Sequence, residues 1–518
     1  MDRRQFVAGC GMGAAAMALP AWARAGQFPG EGAPLYSPAG AEFVARGEAG
    51  ASKGPYAPNW PSLSTYKIPD WYADAKFGIF IHWGVYSVPA FMSEWYPRMM
   101  YQRNNPAYWH HLAAYGPQTK FGYKDFIPHF RAEKFDAGVW ADLFKKAGAR
   151  YVVPVAEHHD GFGMYDSSLS DWCAAKIGPR RDIIGELGKA VRERGLAFGL
   201  SSHRAEHWWF YNGGRKFPSD VRDPRWQSFY GPAQPEVDPD EAYMRDWFAR
   251  TVELVEKYDP QVLWFDWWIE RPAFEPWRQK IAAFLYNRGA ERGTVPVLNY
   301  KNKSFPDTAA VLDLERSGLS EIRTPLWQTD TSTSFLSWGY VKHNLFKSPD
   351  RIVSDLCDTI SKNGVLLLNI GPRPDGLIPD HEQEILRGVG KWLSVNGPGV
   401  YGSRPWKIYG EGPTAVRQQH NYGAGEMAAA RLTSRDLRFT TRGGKLYAFV
   451  MDWPKDGKVA VKSLGKKAGL AAGPVKGVRL LGSDGRVEWS QADEALAVML
   501  PAARPCEYAV CLEVDGVV

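Results

Sequence analysis

Between Trp71 and Gly397, short apolar runs alternate with amphipathic stretches. The runs are Phe77–Trp83, Tyr151–Ala156, Leu196–Ser201, Val262–Asp266, Val295–Tyr300, Ala310–Leu314, Pro325–Gln328 and Val365–Ile370. They lack strict apolar–polar alternation, as expected of strands buried on both faces of a parallel sheet. Two intervening stretches read clearly as helices. One follows Asp136, a good N-cap, sets Trp140, Leu143, Phe144 and Ala147 on one face, and stops before Gly148. The other follows Asp182, turns Ile183, Ile184, Leu187 and Val191 inward, and ends at Gly195. Eight apolar runs in one block predict an α/β fold, a (β/α)8-like TIM barrel over residues 56–398. The helical pattern fades between the later runs, so the barrel is expected to be irregular there. After Gly397 the texture changes. Alternating runs such as Lys445–Val450 and Tyr508–Val514, with turn signals at Arg442-Gly443-Gly444 and Ser483-Asp484-Gly485, predict a C-terminal antiparallel β-sandwich over 399–518.

The N-terminus reads differently. Arg3-Arg4, a small-residue apolar stretch from about Val7 to Leu19, and Ala23-Arg24-Ala25 form a twin-arginine signal peptide over residues 1–25. That pattern predicts export in the folded state to the periplasm or medium. The stretch falls short of the ~20 residues a spanning helix needs, and no later run is apolar enough to span. Lipid anchoring at Cys10 is disfavoured, because the apolar run lies mostly after that cysteine. Residues 26–55 are rich in Gly, Ala and Pro without a period and read as an extended leader.

A chain of 518 residues is long enough for two or three domains. Its net charge of +6 is small and scattered, which argues against a nucleic-acid partner. Cys173, Cys357, Cys506 and Cys511 suggest neither a disulfide framework nor a zinc motif. Cys506 and Cys511 are expected in one strand, facing opposite sides. Nothing in the pattern fixes an oligomeric state. With 22 Trp, 24 Tyr and 25 Phe, the chain carries aromatic surface enough either for a large core or for walls that hold the apolar faces of sugars.

In a barrel of this kind, chemistry sits at the C-terminal ends of the strands. Those ends carry His82-Trp83-Gly84, Glu157-His158-His159-Asp160, His203 to His207, Asp266-Trp267-Trp268, Asn299-Tyr300-Lys301 and Asp313-Leu314-Glu315-Arg316. Converging there, they would make a polar pocket with aromatic walls. Asp266 is the sharpest residue: a carboxyl after four apolar residues and before two Trp, held where a retaining glycosidase needs one of its two carboxyls. Alternatively it caps the next helix or pairs with an Arg. His158 and His159, adjacent at a strand end, are expected to face different sides. That argues against one metal taking both and for hydroxyl recognition, or for imidazoles satisfied by the backbone.

Longer segments carry a resemblance. Lys76 to Ala90 with Ser93-Glu94-Trp95-Tyr96, His158 to Phe162, Leu263-Trp264-Phe265-Asp266, Trp327 to Ser332, Ser337-Trp338-Gly339-Tyr340, Leu367 to Pro372 with Asp375-Gly376, and Trp392 to Gly397 resemble glycoside hydrolase family 29, the α-L-fucosidases. The likeness spans about residues 60–410, in order. It implies a retaining exo-α-L-fucosidase that needs no metal or organic cofactor and acts on fucosylated oligosaccharides or glycoconjugates. Asp266 matches the nucleophile. His82, Glu94, Trp95, His158 and His159 match positions that hold fucose hydroxyls, and Phe80 and Trp264 match walls around the fucose methyl group. Trp338 lies in a shared motif, and Lys301 stands where an Arg can touch the sugar. Some members place the acid/base just after the Trp of the Trp327 motif. Here that residue is Gln328, an amide unable to transfer protons, so the role is assigned to Glu315, with Glu270 and Glu321 in reserve. His203 or His207 is a possible substitute for a third-strand Tyr found in some members. A sugar-binding protein on a degenerate barrel, and a glycosidase for a related sugar, are the competing readings; the presence of both carboxyls favours the enzyme.

Overall fold

The structure, a computed structural model, describes residues 28–414, 424–427 and 430–518; the expected signal segment lies outside them. Eight parallel strands form one sheet: β1 Phe77–Ile81, β2 Tyr151–Glu157, β3 Ala197–Ser202, β4 Val262–Phe265, β5 Val297–Tyr300, β6 Val311–Leu312, β7 Trp327–Ser332 and β8 Gly364–Ile370. They pair in the order β6-β5-β4-β3-β2-β1-β8-β7. The open edges meet where Leu314 N donates to Gln328 O at 2.9 Å and Arg316 N to Asp330 O at 2.8 Å, which brings the sheet nearly to a closed barrel. Most strand residues are fully buried, because side chains on one face fill the barrel and those on the other meet the helices.

The first helix corrects the sequence reading. Within the expected extended leader, α1 spans Gly40–Ala51. It packs on the two barrel helices Glu241–Tyr258 and Glu275–Glu291. Its contact face is built of small residues: a Cβ on Gly47 would lie 2.5 Å from Val252 Cγ2, and one on Gly50 would lie 2.6 Å from Phe284. Val44, Gly47 and Ala51 form the buried stripe, a helical repeat hidden by its low hydrophobicity.

The barrel helices are α2 Ala137–Lys146, α3 Ile183–Glu193, α4 Glu241–Tyr258, α5 Glu275–Glu291, α6 Pro349–Ser361 and α7 Asp380–Val400. Asp136 caps α2 by accepting from Val139 N at 2.9 Å, and Asp182 caps α3 by accepting from Gly185 N at 3.0 Å, both as expected. No α-helix lies between β5 and β7, so the barrel is irregular on that side. Among the described residues, no helix is long and apolar enough to cross a membrane.

The C-terminal part is antiparallel throughout. β9 Arg404–Glu411, β10 Leu437–Arg442, β11 Lys445–Val450, β12 Lys458–Val461, β13 Gly477–Leu480, β14 Glu488–Gln491, β15 Leu496–Met499 and β16 Val510–Asp515 form a five-stranded sheet, β13-β16-β11-β10-β9, and a three-stranded one, β12-β15-β14. Gly443 and Gly444, at φ +58° and +75°, make the two-residue turn between β10 and β11 that favours glycine. β11 is buried on both faces. Leu446, Ala448 and Val450 join the sandwich core, while Tyr447 and Phe449 join the barrel core, with Phe449 6.0 Å from the Trp392 ring of α7. Cys511 lies in β16, but Cys506 precedes the strand, so the two do not share it as expected.

Candidate active site

The rim at the C-terminal ends of the strands encloses a cavity of about 570 Å³. Asp266, Glu315, His82, Glu94, Trp95, His158, His159, Trp264, Lys301 and Trp338 all line it, as the sequence reading expected. Phe80 does not. It is fully buried one layer down in the barrel, capped by His82 and Trp264 at ring distances of 4.6 and 4.9 Å, and so it supports the Trp264 wall instead of being one. His158 and His159 both face the cavity, 4.2 Å apart between ring centres. β2 ends at Glu157, so the two histidines lie past the strand and escape its alternation.

Asp266 follows β4 directly and is buried. Its Oδ1 accepts from Trp267 N at 2.9 Å and lies 3.4 Å from Lys301 Nζ. Its Oδ2 lies 3.0 Å from His203 Nδ1 and 3.5 Å from His159 Nε2. Burial opposes ionisation, yet the Lys301 ammonium and the His203 hydrogen bond outweigh it and hold this carboxyl well below the usual range.

Glu315 is a partner of the same ammonium, through Oε2. Burial, reinforced by the neighbouring Asp330 and Asp266 carboxyls and opposed by Lys301, pushes Glu315 up. Asp266 and Glu315 both contact Lys301 Nζ, which brings the two carboxyls to one ammonium on the same side of the cavity. Glu270 and Glu321, the reserve carboxyls, do not line the cavity; Glu270 accepts from Asn302 Nδ2 at 3.1 Å, and Glu321 is exposed. Gln328 lies in the barrel core. Its Oε1 accepts from Tyr72 OH at 2.6 Å and Tyr151 OH at 2.9 Å, and its Nε2 donates to Asp313.

The histidines form a second group. Desolvation by burial pushes His82 and His158 well below the usual imidazole range, and His159 and His203 below it as well. His82 Nδ1 lies 2.7 Å from Asn369 Oδ1, which fixes the ring and leaves Nε2 for a ligand. His159 Nδ1 lies 3.0 Å from His203 O and beside the Glu206 carboxyl, which burial pushes well above the usual range. His158 Nδ1 is buried without a partner. Nitrogens of His82, His158 and His203 come within 4.8 Å of one another, as a metal ligand set would. However, both ring nitrogens of His203 are engaged, Nε2 with Ser201 Oγ at 3.2 Å and Nδ1 with Asp266 Oδ2 at 3.0 Å, and neutral rings that can donate or accept suit sugar hydroxyls. Opposite them, Glu94 Oε2 accepts from Ser337 OH and Trp338 N, both at 2.9 Å, which ties the β1 loop to the loop carrying Trp338.

The α-L-fucosidase family profile matches residues 43–398, and the α-L-fucosidase C-terminal domain profile matches residues 431–515. The chain belongs to the α-L-fucosidase family. Tissue α-L-fucosidase of Rattus norvegicus is 32% identical over 467 residues, covering 88% of this chain and 90% of the relative. The Homo sapiens tissue enzyme is also 32% identical, covering 89% and 92%. Among solved structures, the Thermotoga maritima α-fucosidase in complex with fucose superposes with a TM-score of 0.69 at 29% identity, over 89% of this chain and all of that one.

The fucosidase cavity holds residues that the sequence reading left without a role. His203, weighed only as a substitute, touches Asp266, whereas His207 packs behind His159 with Nδ1 2.9 Å from its carbonyl. Asp330 brings a third carboxyl to Lys301, with Oδ2 at 3.4 Å and Oδ1 buried without a partner. The apolar run ends at Gln328, whereas β7 continues through the polar Thr329, Asp330, Thr331 and Ser332, which carry no apolar signal. Arg316 stacks over the Trp338 ring at 4.4 Å and bonds Ser334 O at 2.9 Å and Glu426 at 2.7 Å. Glu426 and Met427 come from the connection between β9 and β10 of the C-terminal part, where no motif marked them.

Proposed function

We propose that this protein is a retaining exo-α-L-fucosidase that releases terminal α-L-fucose from glycans, with Asp266 as nucleophile and Glu315 as acid/base. The observation that carries the mechanism is the pairing of an ionised, buried Asp266 with a raised Glu315 across one ammonium, in a cavity with aromatic walls. A carboxyl held low is ready to attack; one held high keeps its proton for the leaving group. In the first step an Asp266 oxygen attacks C1. The C1–O bond breaks, its electron pair goes to the glycosidic oxygen, and that oxygen takes the Glu315 proton. In the second step Glu315 takes a proton from water, the water oxygen bonds C1, and the ester bond to Asp266 breaks with its electrons returning to the carboxylate. Two inversions leave the α configuration unchanged. His82, His158 and Glu94 hold the ring hydroxyls, and Trp264 backed by Phe80 offers a dry wall suited to a methyl group and poor for a 6-hydroxyl.

The test is Glu315→Ala on an aryl α-L-fucoside with azide. Azide should restore turnover and yield α-L-fucosyl azide. The β anomer, or no rescue, would remove Glu315 from the role.

The twin-arginine pattern supports export to the periplasm. Changing Arg3 and Arg4 to Lys should leave the activity in the cytoplasmic fraction; unchanged export contradicts that route.

A further inference from the structure

The cavity has two textures. Its depth is lined by imidazoles and carboxyls. Its mouth carries Phe335, Leu336 and Met427, of which Leu336 is 48% exposed and Met427 43% exposed. Large apolar side chains held open at the mouth of a polar site call for an occupant with an apolar face.

Their position is fixed by Arg316, the residue after Glu315. Its guanidinium bonds Ser334 O, next to Phe335, and Glu426, next to Met427. Glu426 is fixed in turn by Lys347 and by Thr331 OH at 2.7 Å. These buried ties bring two separate segments to the side of the cavity that Arg316 and Glu315 occupy. Arg316, Phe335 and Met427 also border a second cavity of about 550 Å³ beyond them, so the rim has open space on both sides.

The occupant follows from the chemistry. The oxygen that takes the Glu315 proton belongs to the leaving group, so the first sugar of the leaving group must lie beside Glu315. We propose that Phe335, Leu336 and Met427, anchored through Arg316, form the subsite for that sugar and hold the apolar C–H face of its pyranose ring. This deepens the fucosidase reading and rests on it. It also gives the connection between β9 and β10 of the C-terminal part a share in substrate selection.

The test compares two substrates in Leu336→Ser and Met427→Ser. The first, 2′-fucosyllactose, places a galactose ring beside the acid/base. The second, α-L-fucosyl fluoride, has a leaving group too small to reach the rim. The ratio of kcat/KM for 2′-fucosyllactose to that for the fluoride should fall about tenfold, the scale of losing one exposed apolar contact. An unchanged ratio in both variants, whether neither substrate or both are affected, overturns the proposal. If the wild-type protein hydrolyses neither substrate, the fucosidase reading itself fails. Leu336 and Met427 are surface side chains, and an unchanged melting temperature verifies that the variants fold.

Discussion

The rim contributed by β1 to β4 and the rim contributed by β5 to β7 do different work. The first brings His82, His158, His159 and His203, rings that burial keeps neutral, and it stands on regular strand–helix units with capped helices. The second brings Lys301, Glu315 and Asp330, an ammonium with two carboxyls against it, and it has no helix behind it between β5 and β7. Neutral donors and acceptors can hold hydroxyls without changing charge during turnover. Proton transfer needs carboxyls whose affinities are pushed apart, and one ammonium shared among several carboxyls does that. Asp266 sits at the seam, bonded to His203 on one side and facing Lys301 on the other.

Changing one residue on each side sharpens the contrast. Lys301→Met should have the larger effect, lowering kcat/KM at neutral pH on the order of 100-fold, as loss of a preorganised charge does. Its pH profile should also move as a whole. Asp266 is held down by Lys301, so without it the ionised nucleophile is lost at a higher pH, and the acid limb shifts up. Glu315 is restrained by the same ammonium, so its proton is held to a higher pH, and the alkaline limb also shifts up. Limbs that stay in place would show that Lys301 does not set the two carboxyls. His158→Ala should have the smaller effect, raising KM about tenfold through a lost neutral hydrogen bond while leaving both limbs where they are. A shift of either limb would mean that this imidazole carries charge in the working enzyme.

The same division decided what could be read from the sequence. The regular side was legible: apolar runs marked its strands, Asp136 and Asp182 marked helix starts, and His82, His158, His159 and Asp266 stood at strand ends. The irregular side was legible only in part. Glu315 and Lys301 emerged because they follow recognisable strands. Asp330 did not, since a strand of Thr, Asp and Ser is buried here by the loop over it and by pairing to β8, and neither is visible locally. α1 was hidden because its contact face is glycine and alanine, where close approach replaces hydrophobicity. Glu426 and Met427 reach the cavity through long-range ties to Arg316 and Lys347, which no local pattern records.

The most direct test of the central claim is covalent trapping. A 2-deoxy-2-fluoro-α-L-fucosyl fluoride slows both steps but leaves a good leaving group for the first, so an ester on the nucleophile should accumulate. Digestion and mass spectrometry should then find one fluorofucosyl group on the peptide containing Asp266. Inactivation with the label on another carboxylate, or turnover with no ester detected, would contradict the account.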